Sequence, residues 1–209
     1  GLYYHTGAKG GHGMTLVTEN ENLPLVVAIT GASGVVYGVE ILRALKELAI
    51  PTHLIVSEAG ARTLMLETEI PLAEVRALAD VVHSNKDIAA SISSGSFLTA
   101  GMIVAPCSIK TLSAITNSYD ADLIARAADV TLKERRTLVL MVRETPLHKG
   151  HLDLMVRAAD YGAIILPPMP AFYHKPETLR DIINQGVGRA LDQLGVTHAL
   201  FPRWDDDQS

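Results

Sequence analysis

The sequence predicts an α/β fold in which a single domain is built on a doubly wound parallel sheet. Short apolar runs alternate with segments of helical periodicity, which is the pattern of repeated strand–helix–strand units. The runs also end in glycines, hydroxyls and charged residues, and parallel strands bring such ends to the sheet edge where α/β proteins bind ligands. Five apolar runs predict strands: Leu25–Thr30, Thr52–Val56, Met102–Ala105, Thr137–Val142 and Ala163–Leu166.

The segments between these runs predict helices. Apolar residues recur at helical spacing over residues 34–49, and Pro51 ends the pattern. Ser57 predicts the cap of a helix that reaches about Glu67, and Val81–Val82 predicts one more strand. Further helices are predicted over residues 71–78, from 108, and over 122–136, 147–161 and 176–194, with a ligand-covering loop over 87–100.

Composition limits the function classes. The 209 residues are 48% hydrophobic and 20% charged, which suits one globular domain with a sizeable core. The formal net charge of −5 and the lack of a basic block argue against a nucleic-acid partner. No apolar run reaches the roughly 20 residues that a membrane-spanning helix requires. Cys107 is the one cysteine, so we expect no intrachain disulfide and a reducing cytoplasmic location. No CxxC motif or histidine cluster is present, so we expect no structural metal site.

A glycine-rich turn follows the first predicted strand. Gly31-Ala32-Ser33-Gly34 opens a helix, whose free backbone amides can bind a phosphate, although an ordinary turn looks the same. The turn lacks the GxGxxG pattern, and no tyrosine is followed four residues later by the lysine that a short-chain dehydrogenase would need. Both observations argue against a nicotinamide-dependent enzyme. Ser57 and Ser108 also stand at strand-to-helix transitions, where each alone is best explained as a cap. With Ser33 they place three hydroxyls at one sheet edge, which favours a phosphate-bearing ligand.

Charged residues follow the later strands and helices. Arg143-Glu144 ends a buried strand, where the arginine suits a phosphate or flavin carbonyl and the glutamate suits proton transfer. A surface ion pair is the alternative. Arg126 and Lys133 are seven residues apart on one helix face, so they form either a solvated basic face or a phosphate clamp.

Two more residues are expected to converge although they are far apart in sequence. Tyr173 lies in a proline-rich loop, and Arg189 interrupts a run of small residues. We expect Arg189 to lack a protein partner, which would suit it to an anion. Cys107 has no neighbouring base in the sequence and is predicted to be a small buried residue rather than a nucleophile.

Several of these segments together resemble the flavin prenyltransferase (UbiX-type) family. They occur in the family's order from about residue 25 to 205, and several motifs in one order are more specific than any single motif. The matching segments are TGASG (30–34), PCSIKTLS (106–113), AADVTLKERR (127–136), RETPL (143–147), PAFYH (170–174) and PRW (202–204).

The resemblance implies a Rossmann or flavodoxin-like fold and a metal-independent transfer of a dimethylallyl group from dimethylallyl phosphate to reduced FMN. The product, prenylated FMN, would serve a partner decarboxylase in ubiquinone or aromatic-acid metabolism. The family usually forms homododecamers, so some site residues would come from a neighbouring subunit. Residues 14–209 would form the flavoprotein domain, and we expect residues 1–13, which have no period, to be an added or disordered segment.

By matching position, the resemblance also implies three groups of site residues. FMN would contact Gly31, Ala32, Ser33, Ser57, Ser108, Ile109, Lys110, Thr111 and Arg143. The prenyl donor would contact Ser94, Gly95, Arg126, Lys133, Glu144, Tyr173, Arg189 and Trp204. The catalytic residues would be Glu144, which passes a proton to the leaving phosphate, Ser33, which assists a later proton removal, and Glu67, an acidic position near the flavin.

Two other functions remain open from the sequence. An FMN-dependent cysteine decarboxylase of the same fold would carry a Pro-Ala-Ser-Ala-Asn-Thr-type motif where this chain has Pro106–Thr111, and a catalytic histidine that we do not locate. A non-catalytic FMN carrier would explain the flavin-binding serines. It would not explain the set formed by Arg126, Lys133, Tyr173 and Arg189.

Overall fold

The computed structural model describes residues 2–5, 15–18 and 22–203. Two short strands, β1 (Leu2–His5) and β2 (Thr15–Thr18), pair antiparallel. This pairing does not test the boundary expected after residue 13, which stays a prediction. No helix within the described ranges is both long enough and apolar enough to cross a membrane.

One parallel sheet of six strands forms the centre of the molecule. The strands stand in the order β5, β4, β3, β6, β7, β8, and every neighbouring pair is parallel. All six predicted strands are therefore confirmed, including the short one at Val81. Their bounds are β3 Leu25–Ile29, β4 Thr52–Val56, β5 Val81–Ser84, β6 Gly101–Cys107, β7 Leu138–Val142 and β8 Ile164–Ile165.

Seven α-helices are described between and after these strands, and they match the predicted helices. Ser57, Ser108 and Asp122 cap three of them, because each side chain accepts a backbone N–H three residues further on. A single 3₁₀ turn, Ser91–Ser93, interrupts the predicted loop. The helices are α1 Val35–Glu47, α2 Glu58–Glu67, α3 Leu72–Ala77, α4 Ile109–Thr116, α5 Leu123–Lys133, α6 Lys149–Asp160 and α7 Leu179–Gln193.

The core has two halves, one on each face of the sheet. Along β3, Leu25, Val27 and Ile29 pack with α1, α2, α3 and α7, whereas Val26 and Ala28 pack with α4, α5 and α6. Alternate strand residues thus point to opposite faces, and both faces are covered by helices. This is the doubly wound arrangement that the sequence predicts.

The chain reverses its direction across the sheet between β3 and β6. It passes outward from β3 through β4 to β5 and then returns to β6, which lies beside β3. Beyond the last paired residues of these two strands, the buried Thr30 hydroxyl donates to Pro106 O at 2.6 Å and accepts from Ser108 N at 3.0 Å. In open α/β sheets, such a reversal opens a crevice at the carboxyl ends of the strands, where ligands bind.

Candidate functional site

The first turn of α1 is occupied by a carboxylate from α2. Glu67 accepts Ser33 Oγ at 2.5 Å, Gly34 N at 2.8 Å and Val35 N at 3.3 Å. Two of the amides expected to be free for a phosphate, those of Gly34 and Val35, are therefore already bound by Glu67. The site residues Ser33 and Glu67 do come together, as one hydrogen-bonded pair.

Glu67 remains ionised in this position. Partial burial alone would raise its pKa, but the hydrogen bonds from Ser33 and from the amides of Gly34 and Val35 outweigh burial and hold the pKa below its ordinary value. Arg143 adds a favourable positive charge nearby. The carboxylate can therefore orient the Ser33 hydroxyl and accept a proton relayed through it.

Arg143 and Glu144 lie at the same edge, in a cleft of about 420 Å³ with Ser33 and the loop at Pro167. Arg143 Nη1 donates to the Ser33 carbonyl oxygen, and its guanidinium lies 5.9 Å from the centre of the Tyr37 ring. Among the described residues Arg143 forms no ion pair with Glu144, so the alternative of a surface ion pair is wrong. Glu144 is exposed in the cleft, where its Oε1 accepts Thr145 N at 3.1 Å.

The start of α4 presents open backbone amides beside a serine cap. Ser108 accepts Thr111 N at 3.2 Å and donates to Thr111 Oγ1 at 3.1 Å. Within residues 22–203 the amides of Ile109 and Lys110 find no acceptor, and they are first-turn donors that a bound phosphate satisfies well. Ser57 caps α2 through Gly60 N at 2.9 Å. The predicted flavin-binding hydroxyls thus line one sheet edge.

A second cluster lies where the loop over residues 87–100 meets α5. Arg126 Nε donates to Ser93 O at 3.2 Å and Nη1 contacts Asp120 Oδ2 at 3.4 Å. A Cβ atom built on Gly95 would lie 2.9 Å from Lys133 Nζ. The predicted donor contacts on this loop and on α5, including Ser94, are therefore neighbours.

A third cluster forms on α7. The buried Gln185 amide binds both backbone groups of Ala171, at 2.9 Å and 3.1 Å, and so holds the loop that carries Tyr173. The Tyr173 ring lies 4.1 Å from His174, whose ring lies 6.5 Å from Phe201. Phe201 in turn covers α7 beside Arg189. His174 and Phe201 thus link the loop of Tyr173 to α7 at Gly188, the residue before Arg189, and direct convergence of Tyr173 and Arg189 stays a prediction.

One expectation about Arg189 is wrong. Its side chain is 57% exposed and pairs with Asp192 at 3.1 Å, so it does have a protein partner. The spacing of three residues on a helix is a signal that the sequence already offered. Trp204 lies outside the described residues. Sequence reasoning also missed Gln185, whose role depends on a loop that folds back from another part of the chain.

Cys107 is buried, as predicted. Burial raises the pKa of its thiol to about 12, so the thiolate nucleophile is not formed at neutral pH. Within residues 22–203, no three histidine, cysteine, aspartate or glutamate side chains come together as metal ligands do. The metal independence expected of the reaction stays a prediction.

Comparison with known proteins identifies the family. Residues 14–187 match the model of the Flavoprotein family. Flavin prenyltransferase UbiX of Escherichia coli K12 is 61% identical over 183 residues, which cover 86% of this chain and 97% of the relative. The chain belongs to the flavin prenyltransferase family. UbiX of Thauera aromatica is 54% identical over 184 residues, covering 88% of this chain and 95% of the relative.

Two solved structures of UbiX proteins share the fold closely. AnUbiX, solved with FMN and dimethylallyl pyrophosphate, is 49% identical, with a TM-score of 0.87 over 88% of this chain and 98% of that one. A dodecameric FMN-dependent UbiX-like decarboxylase from Escherichia coli O157:H7 is also 49% identical, with a TM-score of 0.85 over 88% of this chain and 100% of that one. The family and fold predicted from the sequence are confirmed.

The cysteine decarboxylase alternative receives much weaker support. The FMN-dependent cysteine decarboxylase TvaF is 12% identical, with a TM-score of 0.60, so the likeness covers the fold alone. The high-identity relatives carry the prenyltransferase name instead. Prenyl transfer is therefore favoured over cysteine decarboxylation.

Proposed function

We propose that this flavin prenyltransferase transfers the dimethylallyl group of dimethylallyl phosphate to reduced FMN and releases prenylated FMN to a partner decarboxylase in the cytoplasm. One observation carries the proposal. Where the strand order reverses, the crevice contains the helix amides of Ile109 and Lys110, which are unpaired within residues 22–203. Beside them lies a cleft lined by Ser33, Arg143 and Glu144. The amides are suited to binding a phosphate, and the cleft residues beside them are suited to transferring protons.

The donor groups at this edge fit FMN. The amides of Ile109 and Lys110, with the Ser108 hydroxyl, match the oxygen acceptors of a flavin phosphate. Arg143 presents a fork of N–H donors at the cleft, which suits a flavin carbonyl. The remaining FMN contacts are assigned to Gly31, Ala32, Ser33, Ser57 and Thr111. Bound reduced FMN supplies the nucleophile that receives the dimethylallyl group.

The protein's own residues act on the departing phosphate. When the allylic C–O bond breaks, its electron pair leaves with the phosphate, and positive groups and a hydroxyl stabilise the developing charge. We assign this role to Arg126, Lys133, Arg189 and the Tyr173 hydroxyl. Glu144 passes a proton to the phosphate. The Ser33 hydroxyl, oriented by Glu67, relays the proton that is lost from the reacting flavin carbon skeleton to that carboxylate.

A complete donor site would require more than one subunit. No hydrogen bond or ion pair among the described residues links the cluster at Arg126 and Lys133 to Glu144 or to Arg189. A dodecameric relative of the same fold provides a precedent for shared interfaces. We therefore assign Ser94, Gly95, Arg126 and Lys133 to the site of a neighbouring subunit, and Trp204 to the wall of the donor pocket.

Mass spectrometry of the flavin tests the reaction. The protein is incubated anaerobically with reduced FMN and dimethylallyl phosphate, and the released flavin is weighed. A gain equal to one five-carbon prenyl unit supports the proposal. FMN that stays bound but unmodified would overturn the reaction and leave only a flavin-binding protein.

A tyrosine pair supplies the matched control. Tyr173→Phe should keep FMN bound and lose most of the turnover, since only the hydroxyl that meets the phosphate is removed. Tyr161→Phe makes the same change at a half-exposed tyrosine that ends α6. Equal activity in both variants would contradict the role assigned to Tyr173.

A further inference from the structure

Asp192, near the end of α7, contacts three polar side chains. Its Oδ2 accepts from Arg189 Nη1 at 3.1 Å. Arg203 binds both carboxylate oxygens, with Nη2 at 2.8 Å from Oδ1 and Nη1 at 3.2 Å from Oδ2. His198 Nε2 lies 2.8 Å from Oδ1. One carboxylate thus joins three side chains from two segments of the chain.

The two arginines and the one aspartate of this cluster carry a net charge of +1. The hydrogen bonds from Arg203, the largest influence, and from His198 lower the pKa of Asp192 to about 2, so it is an anion at neutral pH. Leu200 N donates to His198 Nδ1 at 3.1 Å, so the ring presents its Nε2–H to Asp192. Two guanidinium groups then face one carboxylate, and the surplus charge suits an anionic ligand.

Asp192 also fixes the direction of Arg189. The Arg189 side chain is more than half exposed, and its hydrogen bond to Asp192 is the only one that it makes among residues 22–203. A guanidinium tethered at one N–H keeps its other donors free to meet a phosphate in a forked geometry. Without the tether, a long exposed side chain samples many rotamers and must be ordered by the ligand itself.

The same carboxylate anchors the C-terminal segment, which we define as residues 198–203. Phe201 packs on α7 so closely that a Cβ atom on Gly188 would lie 2.4 Å from its ring. The Arg203 guanidinium stacks over that ring, 5.2 Å from its centre, and forks onto Asp192. Asp192 is therefore the point where this segment and Arg189 meet.

We propose that Asp192 is a positioning residue of the donor-phosphate site, which holds Arg189 and the C-terminal segment in the arrangement that receives the phosphate. The proposal rests on the proposed function, because that function assigns the phosphate to Arg189. It adds a residue that touches no substrate and acts through its arginine partners.

Phosphate binding and turnover test this role separately. FMN-loaded Asp192→Asn and wild-type proteins are titrated with inorganic phosphate by calorimetry, and KM for dimethylallyl phosphate is measured anaerobically. We expect Kd for phosphate and KM to rise together by about tenfold, the effect of one misplaced charged hydrogen bond, and FMN affinity to change little. We expect kcat to fall as well, because Arg189 also stabilises the charge that develops on the departing phosphate. Asp153→Asn is the control, since it breaks an exposed 2.7 Å pair with Lys149 on α6.

The outcomes separate this proposal from the proposed function. If Asp192→Asn binds phosphate as tightly as the wild type, or if FMN and phosphate affinity fall equally, Asp192 has no positioning role. If Asp192→Asn does not fold, Asp192→Glu, which keeps the charge and displaces it by one methylene, is measured against the same two outcomes. If the wild type fails to prenylate FMN, the proposed function fails, whereas the phosphate titration still decides the role of Asp192.

Discussion

Gly34 offers the sharpest test of how the site is assembled. It precedes α1 with φ at +98°, in the left-handed region that side chains rarely adopt. A Cβ atom there would lie 2.7 Å from Arg143 Nη1 and 2.9 Å from Arg143 Cδ. Gly34→Ala therefore combines a backbone penalty with displacement of Arg143.

A second glycine separates these two effects. Gly162 has φ at +106°, and a Cβ atom there would meet nothing within 4 Å. Gly162→Ala should cost only the backbone penalty, about 1–2 kcal/mol of unfolding free energy. Gly34→Ala should cost roughly 1.5–3 kcal/mol more, because Arg143 loses its charged hydrogen bond to the Ser33 carbonyl.

FMN binding is measured by flavin fluorescence at matched protein concentrations, and the free energy of unfolding is measured separately with denaturant. Since Arg143 is assigned to the flavin, Gly34→Ala should weaken FMN binding by roughly 10- to 100-fold, the range that one charged hydrogen bond supplies. Gly162→Ala should bind FMN normally. If both variants lose the same affinity, or neither does, the contact between Gly34 and Arg143 does not shape the flavin site.

Three further predictions concern single side chains. Glu67→Gln should lower the melting temperature at neutral pH. Folding lowers the Glu67 pKa, so the difference in melting temperature between wild type and variant should be complete above about pH 4.3. That difference should vanish as the pH falls through the folded-state pKa. A constant difference across that range would contradict the ionised cap. Ser108→Ala and Thr178→Ala should each lose about 1 kcal/mol of unfolding free energy as helix caps, and only Ser108→Ala should also weaken FMN binding in a titration. Cys107 should resist alkylation in the native protein at about pH 8, because its thiol has a pKa of about 12; rapid labelling detected by mass spectrometry would show that the strand end opens.

The sheet could be predicted from sequence because its signals are local. Buried runs such as Leu138–Val142 and caps such as Ser57 depend on residues within one element. Strand order was not predicted, since it depends on which apolar surfaces meet after the chain folds. The crevice was nevertheless expected at the correct edge, because parallel strands always place their carboxyl ends together.

The site was predicted less completely, for a physical reason that Glu67 illustrates. A sequence shows which amides begin a helix but not which distant carboxylate reaches them, and Glu67 is 33 residues from Gly34. The same limit hid the hydrogen bonds of Gln185 to Ala171. By contrast, the pairing of Arg189 with Asp192 follows an ordinary helical spacing and could have been anticipated.

The Thr30 side chain fixes the spacing of the two loops that border the crevice, beyond the point where backbone pairing between the strands ends. The ladder between β3 and β6 ends at Ala28 and Val104, and the register on the far side of β6 shifts beyond Val104. Past that point a single buried hydroxyl ties the two loops together through Pro106 and Ser108. The width of the crevice is therefore set during folding, so an incoming ligand does not spend its binding free energy on ordering these loops.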